Sequence, residues 1–371
     1  MPASAVAAYI GVMSGTSLDA VDAVLIHCDA TGRANAIGAA DVPLPAHLRT
    51  ELLALSSPGF DELGRAAQLS NELAALYAQA VKNVLQNTDT VAEDISAIGV
   101  HGQTVRHRPD LGYTIQLNAP ARVADLSGID VIADFRSRDV ASGGQGAPLV
   151  PAFHAAQLSS SHTRVVLNLG GIANITLLHA DGRIGGFDTG PANMLMDAWA
   201  QHHLGTAYDA DGAWAASGAV LPALLDRMLC DPWFALPPPK STGRDDFGMA
   251  WLERRLAEAE MSESFDAADV QATLLQLTAR SVATAIARHA PDACDVLVCG
   301  GGAANVALMQ ALQEALACPL RRTDDYGLPA QWVEAAAFGW LAWCHDVGRP
   351  AGLPEVTGAR RPTVLGCRYP A

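Results

Sequence analysis

Residues 9–22 read Tyr-Ile-Gly-Val-Met-Ser-Gly-Thr-Ser-Leu-Asp-Ala-Val-Asp, and they predict how the fold begins. Apolar runs over residues 9–12 and 21–26 flank a short polar turn, which is the pattern of a β-hairpin. The turn, residues 14–17, offers backbone N–H groups and hydroxyl donors, and no large side chain blocks an approaching anion. Such a concavity suits phosphate oxygens, whereas the alternative is an ordinary hairpin turn.

Two carboxylates follow this turn directly. Asp19 and Asp22 stand where a magnesium ion is commonly held beside bound phosphates, although two solvated aspartates would give the same pattern. The turn is not a P-loop, because that motif ends in Gly-Lys-Ser/Thr and opens a helix. Here no Lys follows Gly15, and both flanks read as strands.

The composition is that of a folded enzyme. A length of 371 residues predicts two domains, each large enough for its own core. Hydrophobic residues make up 50% of the chain and charged residues 17%, which excludes a disordered chain. The formal net charge of −15 argues against a nucleic-acid partner, because such a partner needs a basic face.

The cysteines and the N-terminus indicate the cytoplasm. The seven cysteines include no Cys-x-x-Cys pair, so neither a zinc site nor a redox motif is predicted, and an unpatterned set suits a reducing compartment. Residues 1–8 carry no Lys or Arg, so no secretory signal is predicted. No apolar run is long enough to span a bilayer, so no membrane partner is expected.

The first half of the chain alternates strands and helices, which predicts an α/β domain. The apolar residues of the long helix recur near helical spacing, and the strands are short apolar runs. The predicted strands after the opening hairpin cover residues 34–42, 95–100, 113–117 and 130–133, and the predicted helices cover residues 61–85 and 120–126.

Polar residues follow two of these strands. His101 and Gln103 come directly after the strand over residues 95–100, at the end where ligands bind in open α/β sheets. The amide of Gln103 suits sugar hydroxyls, and His101 is either a base or a hydrogen-bonded structural histidine. A charged cluster over residues 134–139 and a Gly-rich loop over residues 143–148 read as a site wall and a hinge, or as a solvated turn.

The second half repeats the opening pattern. Strands over residues 165–169 and 172–178 flank the turn Gly170-Gly171. Asp188 then stands between a strand and a helix over residues 194–199, and a carboxylate at a helix N-terminus stays ionised and could act as a base. The tripeptide Asp-Thr-Gly also occurs in aspartic proteases, but those need two such carboxylates and this chain would need a symmetric dimer.

The last motifs follow a long amphipathic helix over residues 269–289. A buried strand over residues 296–299 ends in Gly300, Gly301 and Gly302, and glycines at a strand-to-helix turn let the backbone approach a ring or a ribose. A final helix over residues 331–344 carries Glu334 near its start, and the tail has no clear element.

Five ordered motifs across nearly the whole chain resemble those of the anhydro-N-acetylmuramic acid kinases, a sugar kinase family of the actin-like ATPase superfamily. The opening stretch is similar to the family's Gly-x-Met-Ser-Gly-Thr-Ser-x-Asp-Gly-x-Asp, and the Asp188 region is similar to Phe-Asp-Thr-Gly-Pro-Gly-Asn. The other similar runs are Asp-Phe-Arg with Gly-Gly-x-Gly-Ala-Pro, Pro-Lys-Ser-Thr-Gly at residues 239–243, and the Gly triplet. Ala20 and Ala192 replace family glycines, and Met13 replaces an aspartate that is usual in the superfamily.

The resemblance implies a fold. It is a two-domain α/β, actin-like ATPase (ribonuclease H-like) fold with a central nucleotide cleft. We expect an N-terminal domain over residues 1–145, with residues 346–371 packing back on it, and a C-terminal domain over residues 146–345. The mirrored hairpins and the loop over residues 143–146 predict a cleft that closes on its ligands.

The resemblance also implies an activity. A family member uses ATP and Mg²⁺ to hydrolyse the 1,6-anhydro ring of 1,6-anhydro-N-acetylmuramic acid and to phosphorylate O6, giving N-acetylmuramic acid 6-phosphate in cytoplasmic peptidoglycan recycling. The partner is a small anhydrosugar, and a homodimer is left open. The alternative is an actin-like or chaperone-like ATP-binding module, which would not need a sugar-sized polar pocket.

Residue roles are implied by matching the motifs position by position. The catalytic residue is Asp188. The ATP-binding residues are Gly15, Thr16, Ser17, Leu18, Asp19, Ala20, Val21, Asp22, Gly170, Gly171, Gly300, Gly301, Gly302 and Asn305. The substrate-binding residues are His101, Gln103, Arg136, Pro148, Asp188 and Glu334, and the magnesium ligands are Asp19 and Asp22.

Overall fold

A computed structural model describes residues 6–15, 18–243, 246–259 and 265–371. The chain divides into two compact units. Unit 1 comprises Met1–Leu158 and Gly327–Ala371, and unit 2 comprises Ser159–Tyr326. Both units contain a β-sheet and helices, so the prediction of an α/β fold is confirmed.

Unit 1 contains a six-stranded sheet in the order β13-β7-β4-β1-β2-β3 and a two-stranded sheet of β5 and β6. The strands are β1 (Ala7–Ser14), β2 (Ala20–Cys28), β3 (Ala34–Pro43), β4 (Ile95–Val100), β5 (Gln103–Arg108), β6 (Tyr113–Leu117), β7 (Val131–Ala133) and β13 (Cys367–Tyr369). The helices are α1 (Ala46–Ala54), α2 (Glu62–Asn87), α3 (Pro120–Ser127), α4 (Phe135–Ala141), α5 (Pro151–Leu158), α13 (Val333–Asp346) and α14 (Pro354–Thr357).

Unit 2 contains a five-stranded sheet in the order β10-β9-β8-β11-β12. The strands are β8 (Arg164–Leu169), β9 (Ile172–Leu178), β10 (Ile184–Pro191), β11 (Asp295–Cys299) and β12 (Leu320–Arg322). The helices are α6 (Asn193–Leu204), α7 (Ala213–Ser217), α8 (Pro222–Leu229), α9 (Pro232–Ala235), α10 (Met249–Glu258), α11 (Ala267–His289) and α12 (Val306–Ala315). Short 3-10 helices cover Ala92–Asp94, Pro109–Leu111, Ala210–Gly212, Gly301–Ala304 and Thr323–Tyr326.

The two sheets share one design. In each unit the first three strands form an antiparallel meander, and the next strand pairs in parallel with the first. The first strand of each unit therefore lies in the interior of its sheet, between the second and fourth strands. The predicted repeat of strand, glycine turn and strand is confirmed by this shared order.

Helix α13 lies directly on the sheet of unit 1 because glycines face it. A Cβ atom on Gly11 of β1 would lie 1.7 Å from the carbonyl oxygen of Ala335, and one on Gly99 of β4 would lie 2.0 Å from that of Phe338. A Cβ atom on Gly339 of the helix would likewise lie 2.9 Å from the backbone nitrogen of Gly11. The helix backbone therefore rests against two strand backbones, and most of its side chains are buried.

The observed units divide the chain differently from the expected domains. The expected boundaries followed residues 145 and 345, whereas the compact units change after Leu158 and Tyr326. Helix α13 belongs to unit 1 because it packs against β1, β2 and β4. The tail was predicted to have no clear element, which is wrong: it forms α14 and β13, and β13 pairs with β7.

The Gly-rich loop over residues 143–148 is fixed inside unit 1. The backbone N–H of Gly146 donates to Oδ2 of the fully buried Asp139 at 2.8 Å, and the N–H of Gln145 donates to the carbonyl of Thr357 at 2.7 Å. The Thr357 hydroxyl donates to Oδ1 of the same aspartate at 2.8 Å. These contacts hold the loop to the rest of unit 1, and its role as a hinge stays a prediction.

The close approach of α13 gives a stability prediction. We expect Gly11→Ala to lower the free energy of unfolding by about 2 kcal/mol or more, because the new methyl overlaps a backbone carbonyl. In a strand without such an overlap, alanine stabilises the fold by roughly 0.5–1 kcal/mol relative to glycine. A loss of stability in Gly11→Ala would therefore identify the overlap. The matched control is Gly59→Ala, whose methyl would come no closer than 3.7 Å to a neighbour. Urea unfolding of both variants measures the effect, and an unchanged Gly11→Ala midpoint would contradict this packing.

Candidate functional site

Hydrogen bonds hold the turn between β1 and β2 in place. The hydroxyls of Ser14 and Tyr77 form a buried hydrogen bond at 3.1 Å. The backbone N–H of Leu18 donates to the carbonyl of Gly15 at 3.2 Å, and the Leu18 side chain is buried. Leu18 can therefore contribute only backbone atoms to a ligand. Thr16 and Ser17, predicted as ATP-binding residues, lie outside the described residues.

Acidic side chains gather beside this turn. Asp22 of β2 lies opposite Asp41 of β3 in the sheet register. Burial, and then the charges of Asp41, Glu334 and Asp19 in decreasing order of strength, together raise the pKa of Asp22 to about 6. Asp19 is exposed, and its Oδ1 lies 3.7 Å from Nη1 of Arg49. A bound cation would relieve the repulsion that raises the Asp22 pKa.

These acids do not form a closed metal cage. Among the residues that the structure describes, no three His, Cys, Asp or Glu side chains are grouped to hold a metal ion. Mg²⁺ usually keeps several waters and is bound by one or two protein carboxylates together with substrate phosphates. The pair Asp19 and Asp22 fits that open kind of site.

His101 and Arg136 form a hydrogen-bonded pair in unit 1, in which the histidine is buried and the arginine half-buried. Nε of Arg136 donates to Nε2 of His101 at 2.9 Å, and Nη1 of Arg136 donates to the carbonyl of Gly146 at 2.7 Å. The His101 ring packs on Phe338 with ring centroids 4.6 Å apart. Burial and then the Arg136 charge lower the pKa of His101 well below its usual value. Of the two interpretations of His101, the geometry favours the hydrogen-bonded histidine over the base.

Several buried polar atoms near this pair have no protein partner within the described ranges. They are Nδ1 of His101, Oε1 of Gln103 and both side-chain polar atoms of Asn118. Gln103 opens β5 and pairs with Leu117 of β6, and Asn118 follows Leu117 directly. An unsatisfied buried polar group costs about 1–3 kcal/mol, so such atoms indicate a place where a polar ligand or ordered water binds. Asn118 was missed in the sequence, where its only signal is a polar residue directly after an apolar strand.

The remaining predicted residues of unit 1 lie next to these groups. Glu334 stands in the first turn of α13 and acts electrostatically on Asp22. Pro148 is half-buried in the loop that supplies the Gly146 carbonyl to Arg136. Unit 1 thus brings together an acidic group around Asp22 and a second group around Arg136.

Asp188 of unit 2 lies inside β10, not at a helix start as predicted. Helix α6 begins at Asn193, and the Thr189 hydroxyl donates to the carbonyl of Ala173 at 3.2 Å instead of capping it. The helix-terminus argument for an ionised Asp188 therefore does not apply. Instead, the backbone N–H of Thr242 donates to Oδ2 of Asp188 at 2.9 Å, and the N–H of Asp188 donates to the carbonyl of Lys240 at 3.1 Å.

Lys240 orders the loop that contacts Asp188. Its Nζ donates to the carbonyls of Trp233 and Phe234 at 3.3 and 3.1 Å, and it lies 4.1 Å from the centre of the Trp233 ring. Burial and then Arg288 lower the pKa of Lys240, while the Asp188 charge acts in the opposite direction. These contacts order the loop beside Asp188.

The second glycine turn faces the start of α6. The carbonyl of Gly171 accepts from the N–H groups of Ala192 and Met194 at 2.9 and 3.1 Å, and that of Gly170 accepts from Asn193 at 3.2 Å. The Asn193 amide donates to the carbonyl of Leu169 at 3.1 Å, so it helps to hold this turn.

The Gly triplet after β11 serves packing at two of its three positions. A Cβ on Gly300 would lie 2.5 Å from Oδ1 of Asn168, and one on Gly302 would lie 2.7 Å from Cβ of Leu169. Among the residues that the structure describes, a Cβ on Gly301 would meet nothing within 4 Å, so of the three glycines Gly301 is the one beside open space there. Asn305 caps α12 by accepting from the N–H of Leu308 at 2.9 Å, which engages its amide oxygen.

Comparison with known proteins decides the family. The family model described as anhydro-N-acetylmuramic acid kinase matches residues 7–371. The chain belongs to this family. It is 57% identical over 369 residues to the anhydro-N-acetylmuramic acid kinase of Bordetella petrii, covering 98% of this chain and 96% of that one. It is 53% identical over 366 residues to that of Chromobacterium violaceum, covering 98% and 99%.

A solved structure is similar at a lower level. The activator of the 2-hydroxyisocaproyl-CoA dehydratase from Clostridium difficile gives a TM-score of 0.48 at 12% identity, covering 92% of this chain and 96% of that one. That likeness is too weak to carry an argument about the site.

Two further features of this anhydro-N-acetylmuramic acid kinase family member concern Ala192 and the hydropathy of its helices. Ala192, where a glycine was expected, is buried at the start of α6 with a φ of −124°, outside the left-handed region that favours glycine. Across the described ranges, no helix is long and apolar enough to cross a membrane.

The contacts of Lys240 give a prediction about local opening. We expect Lys240→Met to raise the hydrogen-exchange rates of the Asp188 and Thr242 amides roughly 10- to 100-fold, because two charge-assisted hydrogen bonds that anchor the loop are lost. The exchange of β8 amides should stay unchanged. Lys82→Met on the exposed side of α2 is the matched charge control. Equal exchange in the variant and the parent protein would show that Lys240 does not hold the loop.

Proposed function

We propose that this protein is an ATP-dependent anhydro-N-acetylmuramic acid kinase of cytoplasmic peptidoglycan recycling. It hydrolyses the 1,6-anhydro bond of 1,6-anhydro-N-acetylmuramic acid and transfers a phosphoryl group to O6, giving N-acetylmuramic acid 6-phosphate. The observation that carries the proposal is the family match over residues 7–371. Relatives named for this activity cover almost all of the chain, which supports it.

Asp188 is the proposed general base. Its carboxylate takes a proton from a water molecule whose oxygen bonds to the anomeric carbon, while the bond from that carbon to O6 breaks. O6 then bonds to the γ-phosphorus of ATP, and ADP leaves. The Thr242 N–H at Oδ2 fixes the carboxylate, and a positioned base typically contributes 10²–10⁴ in rate.

The proposed sugar-binding groups are polar atoms of unit 1. Oε1 of Gln103 is buried and suits a hydroxyl donor, and the guanidinium of Arg136 suits the carboxylate of the muramic acid side chain. We add Asn118 to this set because both its polar atoms are buried without a protein partner in the described part of the chain. His101, Pro148 and Glu334 complete the proposed group.

The proposed nucleotide-binding groups are the two glycine turns and the Gly triplet. Gly15 and the residues up to Asp22 follow β1, and the turn Gly170-Gly171 follows the corresponding strand of unit 2. Of the triplet, Gly301 has the open space that a ring or ribose needs. Asp19 and Asp22 would hold Mg²⁺, which when bound supplies positive charge at the phosphates.

An actin-like ATP-binding module is the alternative function. Such a protein would hydrolyse ATP at the same rate with and without the anhydrosugar. A sugar kinase instead consumes ATP in proportion to sugar phosphate formed. Measuring both products with 1,6-anhydro-N-acetylmuramic acid present and absent separates the two functions.

The base assignment gives a kinetic prediction. We expect Asp188→Asn to fold and to bind ATP but to lose kcat by about 10²–10⁴, because the amide cannot accept the proton from water. Asp181→Asn is the matched control, since Asp181 is an exposed partner of Arg183 on the same unit. A near-normal kcat in Asp188→Asn would remove Asp188 from the base role.

The proposed magnesium ligands give a prediction about metal dependence. Asp22→Asn should raise the Mg²⁺ concentration for half-maximal turnover at least roughly tenfold, because loss of even a supporting contact costs 10–100-fold in metal affinity. The control is Asp41→Asn, which removes the facing charge but not a proposed ligand. Equal Mg²⁺ dependence in Asp22→Asn and the parent enzyme would exclude Asp22 as a ligand.

A further inference from the structure

The pair formed by His101 and Arg136 carries an inference that rests on the proposed function. A guanidinium has only donors, so Nε2 of His101 accepts the 2.9 Å hydrogen bond and bears no proton. The neutral ring then carries its proton on Nδ1. A protonated ring would place two cations against each other in a buried site, where only 5% of the histidine is exposed.

The packing around the ring fixes its plane. His101 lies on Phe338, and Phe338 also packs against Phe135 with ring centroids 5.6 Å apart. The backbone of Phe338 packs directly on Gly99, because the Phe338 carbonyl oxygen lies 2.0 Å from where a Cβ of that glycine would be. This close packing restricts movement of Phe338. The acceptor lone pair of Nε2 therefore points in one direction.

The guanidinium is fixed at a second point. Its Nη1 donates to the carbonyl of Gly146, whose own N–H is held by the buried Asp139. Two acceptors, a ring nitrogen and a carbonyl, thus set the plane of Arg136. A guanidinium held in one plane is prepared for two parallel hydrogen bonds to a carboxylate.

We propose that His101 is a positioning residue, which orients the guanidinium of Arg136 for the carboxylate of the muramic acid side chain and takes no proton in the reaction. Arg136 is the cation among the proposed sugar-binding residues, and the acids Glu334, Asp19 and Asp22 would repel that carboxylate. The low pKa of His101 agrees with a ring that stays neutral throughout turnover.

The test compares two sugars. One is 1,6-anhydro-N-acetylmuramic acid, and the other is 1,6-anhydro-N-acetylglucosamine, which lacks the carboxylate. Calorimetry measures both dissociation constants for the parent enzyme, His101→Phe and His101→Gln, and kinetics with the muramic acid gives kcat, KM and their pH profiles. His101→Phe keeps a ring on Phe338 but removes the acceptor, whereas the Gln oxygen restores one.

We expect His101→Phe to weaken binding of the muramic acid roughly 10- to 100-fold and to leave binding of the glucosamine sugar unchanged. kcat should change less than about fivefold, the acid limb of its pH profile should stay in place, and His101→Gln should recover most of the affinity. In an Arg136→Gln background, His101→Phe should cost nothing further. His345→Phe is the matched control, because Nδ1 of that half-buried histidine of unit 1 pairs with the carbonyl of Leu365.

Three results would overturn the proposal. An equal loss for both sugars would mean that His101 acts on the ring or on the fold and not through Arg136. A kcat loss of 10²–10⁴ at unchanged KM would make His101 a proton carrier. Additive losses in the Arg136→Gln background would separate the two residues. If His101→Phe does not fold, His101→Asn, which is too short to reach Arg136, replaces it with the same outcomes.

Failure of the proposed function is recognised separately. An enzyme that forms no sugar phosphate with either sugar would contradict the kinase assignment. The two dissociation constants would still report whether His101 acts through Arg136.

Discussion

The backbone of α13 rests on the backbones of β1 and β4, and much of unit 1 depends on that contact. Glycines at positions 11, 99 and 339 make the approach possible, since a single methyl there would overlap a carbonyl or a backbone nitrogen. The contact sets Glu334 near Asp22 and places Phe338 under His101. One packing constraint thus positions both groups of polar residues in unit 1.

Both units fix a charged side chain through backbone groups of a loop. In unit 1 the carbonyl of Gly146 holds Arg136, and in unit 2 the N–H of Thr242 holds Asp188. Each loop is in turn anchored by a charged residue, Asp139 in the first case and Lys240 in the second. A backbone partner sets the direction of a charged group, which suits groups proposed to meet a carboxylate or a proton.

The sequence predicts a local element well where the periodicity of its apolar residues is clear. The hairpin of β1 and β2 and the amphipathic helix α2 follow from apolar periodicity alone, and the observed ranges agree within a few residues. The sequence does not show that the strand carrying Asp188 extends beyond that residue. In the structure β10 continues through an irregularity next to Gly190, where φ is +141°. Strand β13 was missed because three residues, Cys-Arg-Tyr, give no periodic pattern, and only pairing with β7 defines them.

The chemistry of single residues is less predictable than the fold, because it depends on partners far along the chain. A histidine after a strand reads as a base or as a structural group, and the contact with Arg136, which lies 35 positions later, favours the second. The Gly-rich loop reads as flexible until Asp139 and Thr357, the latter from the far end of the chain, are placed beside it. The same letters would allow a titrating histidine in a protein where Arg136 lay elsewhere. Contacts between distant segments therefore decide function here, while local pattern decides which segments exist to be brought together.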